Sequence, residues 1–175
     1  MHEVLLRLLL GDMRTIGESD IVSAEIAEEQ ALFDIVAEGL TSCDPGLRMR
    51  CADAMEKASR GNPSLLLAHK TRLLQILGET QEIEVQWHLA QIVPRLSLTG
   101  SEFTNAVEIL RGYFLKAKSR ITQVCALQAI VELATQHPDL GQVAEEILVQ
   151  ALESSVPSLR ARAKKLVSVQ GMRTS

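Results

Sequence analysis

Aromatic side chains are scarce in this chain: one Trp, one Tyr and three Phe among 175 residues. A core without large rings must be filled by Leu, Ile, Val and Ala, which suits helices packed closely on helices. Cysteine is also sparse. Cys43, Cys51 and Cys125 include no CxxC pair, which excludes a disulfide framework and a cysteine zinc site and fits a reducing compartment. No apolar run is long enough to span a bilayer. The apolar start, Met1 to Leu10, is interrupted by Arg7, and no small-residue cleavage site follows it. A cytoplasmic protein without a membrane segment is therefore expected. Positive charge is not in excess: the net charge of −4 argues against a nucleic-acid binder of the usual basic type. Phosphate-binding loops, GxGxxG, HExxH and GxSxG are all missing, and His2, His69, His88 and His137 lie in different segments. These absences predict no catalytic group, no cofactor and no metal site, and the chain reads as non-enzymatic.

What is present is a repeat. Four segments share spacing: Leu47, Cys51, Ala52 and Met55; Val85, Leu89, Ala90 and Val93; Ile121, Cys125, Ala126 and Ala129; Leu159, Ala163 and Val167, with Lys164 where the others have Ala. Their leading residues are 38, 36 and 38 apart. A second apolar segment precedes each: Leu32 to Leu40, Leu73 to Leu77, Val107 to Phe114, and Val143 to Leu152. Apolar residues recur at three and four positions, so both segments of each repeat are amphipathic helices, here termed A and B. Punctuation agrees. Asp44-Pro45-Gly46 supplies an N-cap and a first-turn proline, Gly61-Asn62-Pro63 and His137-Pro138-Asp139 end helices, Thr99 to Glu102 has capping-box spacing, and Pro157 opens the last helix. Pro94, inside the second B helix, is expected to kink it.

Asp44-Pro45 followed by Leu47-Arg48, Cys51-Ala52 and Ala54-Met55 resembles the D-P-x-V-R-x-x-A-A-x-A-L core of HEAT repeats, with weaker copies at Ile121–Ile130 and Leu159–Val167. The chain as a whole also looks like small bacterial HEAT-repeat proteins without assigned activity. The resemblance implies an all-α, right-handed α-α superhelix of about four helix pairs (30–62, 63–99, 100–138 and 139–175) in a single domain spanning 1–175. Residues 1–29 fall outside the repeat. Val4 to Leu10 and Ile21 to Ala27 read as two short helices joined by a polar stretch, Gly11 to Asp20, that form an N-terminal helical cap.

In HEAT solenoids the B helices line the concave side. At about 100° per residue from Leu47, positions +0, +4, +7 and +8 form the core face. The +2 set (Met49, Trp87, Gln123, Ala161), the +3 set (Arg50, His88, Val124, Arg162), the +6 set (Asp53, Gln91, Leu127, Lys165) and the +10 set (Lys57, Arg95, Val131, Val169) point away. This outward set is richer in basic residues than the chain as a whole, while the first and last A helices are acidic. Charges on helix surfaces are most simply solvated or paired, and Arg48 and Arg160 stand where the repeat pattern pairs an arginine with a turn acid. The functional expectation is a non-enzymatic interaction or scaffold module. It would bind a protein partner, with an acidic surface, on a concave face carrying Arg50, Lys57, Trp87, His88, Arg95, Arg162 and Lys165. Trp87 would be its anchor, unless it is partial core. The second expectation is nucleic-acid binding, similar to HEAT-like DNA alkylation-repair glycosylases, which the sparse basic and aromatic content disfavours. A third, a lyase like some HEAT-like bacterial proteins, has no residue to nominate. The oligomeric expectation is a monomer or a weak homodimer.

Overall fold

The computed structural model describes residues 2–10 and 18–173, the last five as backbone. Among them are ten α-helices, three short 3-10 segments and no strand. The helices are α1 (Glu3–Leu9), α2 (Ser19–Glu28), α3 (Gln30–Gly39), α4 (Pro45–Gly61), α5 (Lys70–Glu79), α6 (Ile83–Ile92), α7 (Gly100–Lys116), α8 (Arg120–Gln136), α9 (Gly141–Glu153) and α10 (Pro157–Arg173). No described helix is long and apolar enough to cross a membrane. The chain divides into two compact units, residues 1–98 and 99–175. The second unit opens at Thr99, the N-cap of α7.

The first unit is built around α4. Helices α2 and α6 both pack on α4, α3 pairs with it as the hairpin partner, and α1 packs on α3 and α4. Leu47, Cys51, Ala52, Ala54, Met55 and Ala58 of α4 are all buried. The helix is enclosed on most of its circumference, so small residues there allow close approach on several sides. Gly39 shows how close: a Cβ at that position would lie 2.4 Å from Cys51 Sγ. The predicted helices of the N-terminal segment are α1 and α2. Residues 11–17 of the polar stretch between them lie outside the described residues. In the second unit α7 pairs with α8 and α9 with α10, and α8 also packs on both α9 and α10.

One turn recurs between paired helices. Ser42, Thr80 and Ser154 each accept, through the side-chain hydroxyl, the backbone N–H two residues on, from Asp44 (3.1 Å), Glu82 (3.2 Å) and Val156 (3.1 Å). The carbonyl of the same residue takes a side-chain donor six residues on: Arg48 at Ser42, Gln86 at Thr80 (3.0 Å) and Arg160 at Ser154 (2.5 Å). In the α7–α8 turn Ala117 holds the matching backbone, φ −63 and ψ 136, against −68 and 136 at Thr80 and −59 and 141 at Ser154. Counted from these turns, the counterparts of Leu47 are Val85, Thr122 and Leu159.

That count corrects the third repeat by one residue. Ile121 is 57% exposed, whereas Thr122, Ala126, Leu127 and Ile130 are buried. Cys125, expected in the core, is half-buried. Gln123, Leu127 and Val131, expected to point away, are buried. Local periodicity misplaced the register because Ile121 is more apolar than Thr122, while the N-cap decides: Ser119 Oγ accepts the Thr122 N–H and starts the helix at Arg120. The other caps match expectation. Asp44 Oδ1 accepts the Leu47 N–H at 2.8 Å, and Thr99 and Glu102 form a capping box. Pro94 does not kink α6. The helix ends at Ile92 and a 3-10 turn, Val93–Arg95, carries the chain on.

Candidate functional site

The side chains singled out by the sequence gather in seams between neighbouring B helices. In the first unit one network crosses from α2 through α4 to α6. Asp53 of α4 accepts the Ser19 hydroxyl from α2 and Lys57 Nζ at 2.7 Å, and Lys57 also reaches Asp20 of α2 at 2.5 Å. His88 Nε2 of α6 lies 3.8 Å from the other Asp53 oxygen. One turn along α4, Glu56 is almost fully buried and accepts from two arginines. Arg60 binds it from the same helix, with Nε at 3.0 Å, and Arg95 approaches from the 3-10 turn after α6. Arg95 Nη1 further donates to the Glu56 carbonyl at 2.7 Å and to Ser59 Oγ at 2.8 Å. The break that Pro94 imposes on α6 sits immediately before this arginine.

Electrostatics follow from the packing. Burial alone would raise the Glu56 carboxyl, but the hydrogen bonds from Arg60 and Arg95 outweigh it and hold the group below the usual carboxylate range. Burial likewise opposes the Lys57 ammonium, yet its bonds to Asp20 and Asp53 push its pKa above that of a free lysine. His88 is 3% exposed and its Nδ1 has no hydrogen-bond partner. Burial drives its pKa down to about 4, against the pull of Asp53 and Glu56 and with the push of Lys57 and Arg60, so it is neutral near pH 7. Burial also raises the Cys51 thiol to about 12, which makes it inert.

The residues expected on an open concave face are thus divided. Arg50 is 2% exposed and donates to the Leu8 carbonyl at 3.0 Å, and His88 is buried. Neither points to solvent. Lys57 and Arg95 are partly covered and ion-paired. Trp87 is half-buried, its ring centroid 3.5 Å from that of His88. In the second unit Arg162 is half-buried and Lys165 exposed. The physical reason is that a wheel drawn for one hairpin finds only the face toward its partner helix. The direction called outward on α4 is where α2 and α6 pack. Sequence reasoning missed Ser19, Asp20 and Glu56 as partners. The spacing of Asp53 with Lys57 and of Glu56 with Arg60, four apart on α4, was the available signal.

The second unit repeats the geometry with different chemistry. Position +6 of one B helix meets +3 of the next: Asp53 meets His88 in the first unit, and Gln128 Oε1 accepts Arg162 Nη1 at 3.2 Å in the second. Gln128 in turn donates to Glu132, the acid of α8. Helix α10 has no Asp or Glu at all, and Arg160, Arg162, Lys164 and Lys165 follow closely along it. No ion pair among the described residues engages these four, although Arg160 binds the Ser154 carbonyl. The acids Glu145, Glu146 and Glu153 lie on α9. A groove of about 500 Å³ also lies in this unit, lined by Ala134 and Thr135 of α8, Gly141, Ala144, Leu148 and Leu152 of α9, and Val167 of α10, among others. Among the described residues, no group of three or more His, Cys, Asp or Glu is placed to hold a metal ion.

No family model and no curated protein matches the chain. A solved structure similar in fold is the crystal structure of an engineered protein from a structural genomics consortium. It is 18% identical, with a TM-score of 0.62 over 94% of this chain and 76% of that one. This likeness concerns the fold and carries nothing about activity.

Proposed function

We propose that the protein is a HEAT-like α-solenoid that acts as a non-enzymatic interaction module, binding a protein partner along its B helices. The observation that carries the reading is the recurrent turn: Ser42, Thr80 and Ser154 make the same two hydrogen bonds at matching places in three helix pairs. A turn repeated in this way supports a stack of equivalent hairpins, in which the B helices form a row of side chains that can be varied without disturbing the core. The step from fold to binding rests on analogy with helical-repeat platforms. Within the row, Lys165 is exposed, and Trp87 and Arg162 are half-buried and reach the surface in part. Arg50 and His88 serve packing instead, and Lys57 and Arg95 hold neighbouring helices together.

The experiment is capture from an extract of the source cells on the immobilised full chain. Arg162→Glu with Lys165→Glu on α10 is expected to abolish recovery of the proteins that the unmodified chain retains. Glu145→Lys with Glu146→Lys on α9 is expected to leave it intact. Recovery that depends on the α9 pair alone, or that is indifferent to both, contradicts the reading.

A further inference from the structure

We infer that the α8–α10 seam of the second unit is the docking surface, and that its occupant is an acidic segment of a partner protein that places carboxylates on Arg162 and Lys165. This rests on the interaction-module reading and names the partner chemistry and the place. The argument is a comparison of equivalent positions. In the first unit three cations of the network from α2 through α4 to α6 meet carboxylates: Lys57 has Asp20 and Asp53, and Arg60 and Arg95 share Glu56. Those charges are spent on holding helices together.

In the second unit the +6 carboxylate is replaced by the neutral amide of Gln128, and +9, Glu56 in α4, is the buried Val131. Glu132 is the nearest acid of α8, and it is engaged through Gln128 rather than on the guanidinium. The Arg162 guanidinium therefore donates to a neutral oxygen, and the Lys165 ammonium, one turn further on the same side of α10, is exposed and in no ion pair among the described residues. Ala161 and Ser168 beside them are exposed and small, so the strip is open where the first unit carries the larger Met49 and Trp87. The amide takes one N–H of the half-buried guanidinium, and the planar fork has further donors that suit paired bonds to a carboxylate. A second cation about one helical turn, ~5 Å, along the axis matches carboxylates spaced along a peptide.

The test is fluorescence anisotropy of a labelled octaglutamate peptide titrated with the full chain at 50 mM salt, with a 12-base-pair DNA duplex as the rival anion. Arg162→Gln with Lys165→Gln is expected to weaken peptide binding at least ~10-fold, since desolvated charge pairs at an interface are worth that much. Lys116→Gln with Lys118→Gln removes the same charge from the exposed end of α7 and its turn, and is expected to change binding less than ~2-fold. Lys116, Lys118 and Lys165 are exposed and Arg162 is half-buried, and an unchanged melting temperature confirms that each variant is folded. Absence of peptide binding, equal weakening by both variants, or tighter binding of the duplex overturns the inference. If capture from extract still depends on Arg162 and Lys165 in that case, the acidic occupant alone is wrong. If capture is indifferent as well, the interaction reading itself falls.

Discussion

Glu56 on α4 and His88 on α6 make opposite demands on pH. The folded protein keeps Glu56 ionised, since Arg60 and Arg95 hold its pKa below the ordinary 4.5. Its contribution is fully present above that value and is lost as pH falls through the lower folded pKa. His88 is kept neutral. Between its ordinary 6.5 and its folded value of about 4, the unfolded chain binds a proton that the folded chain refuses, so stability falls as pH drops through that window. The loss is on the order of 3 kcal/mol by pH 4. Asp53 and Glu56 favour the charged ring while Lys57 and Arg60 oppose it, and burial decides the outcome. Urea denaturation at a series of pH values is expected to show a decline from about pH 6.5 to 4 that His88→Leu largely removes. Glu56→Gln is expected to leave that window and flatten the limb below it. An unchanged slope between pH 6.5 and 4 in His88→Leu contradicts this assignment.

At the scale of elements, the recurrent turn makes a sharper claim than any single helix. Three of its four instances have a hydroxyl where the fourth has Ala117, and the backbone there is already in the required conformation. Ala117→Ser should let the new hydroxyl accept the Ser119 N–H, as Ser42 does for Asp44, and stabilise the protein by ~0.5–1 kcal/mol. Thermal or chemical denaturation measures it, and a destabilised variant refutes the equivalence of the turns. Much of this level was legible in the sequence. Asp44-Pro45, Thr99 to Glu102 and Pro157 marked helix starts because caps are local chemistry, set by residues within four positions of one another. The register of α8 was less legible, because Ile121 and Thr122 compete as the first core residue and only the Ser119 cap separates them. The seams were least legible. Whether Arg50 reaches solvent or the Leu8 carbonyl depends on which helix packs across from it, and that is long-range information. For the same reason Pro94, read as a kink, proved to be the end of a helix followed by an arginine that clamps Glu56.

At the scale of the molecule the two units differ in charge. Residues 1–98 carry nine Lys and Arg against fifteen Asp and Glu, and residues 99–175 carry nine against seven. In the first unit Asp20 of α2 pairs with Lys57 of α4 and Glu25 of α2 with Arg7 of α1, so charge in the sequence becomes pairing between helices. In the second the acids sit mainly on α7 and α9 and the bases on α10, so charge is sorted between helices rather than paired. Sorted charge favours selective capture of a partner of opposite sign, whereas paired charge rigidifies the fold. The basic set read from sequence as one continuous face therefore separates into a structural part, Arg50, Lys57 and Arg95, and a part in no ion pair among the described residues, Arg162 and Lys165. Hydrogen exchange of the full chain, with and without a captured partner, tests this division most directly. The expected result is slowed exchange confined to α8 and α10, with α7 and α9 unchanged. Slowed exchange on α7 and α9 instead, or none anywhere in residues 99–173, would contradict it.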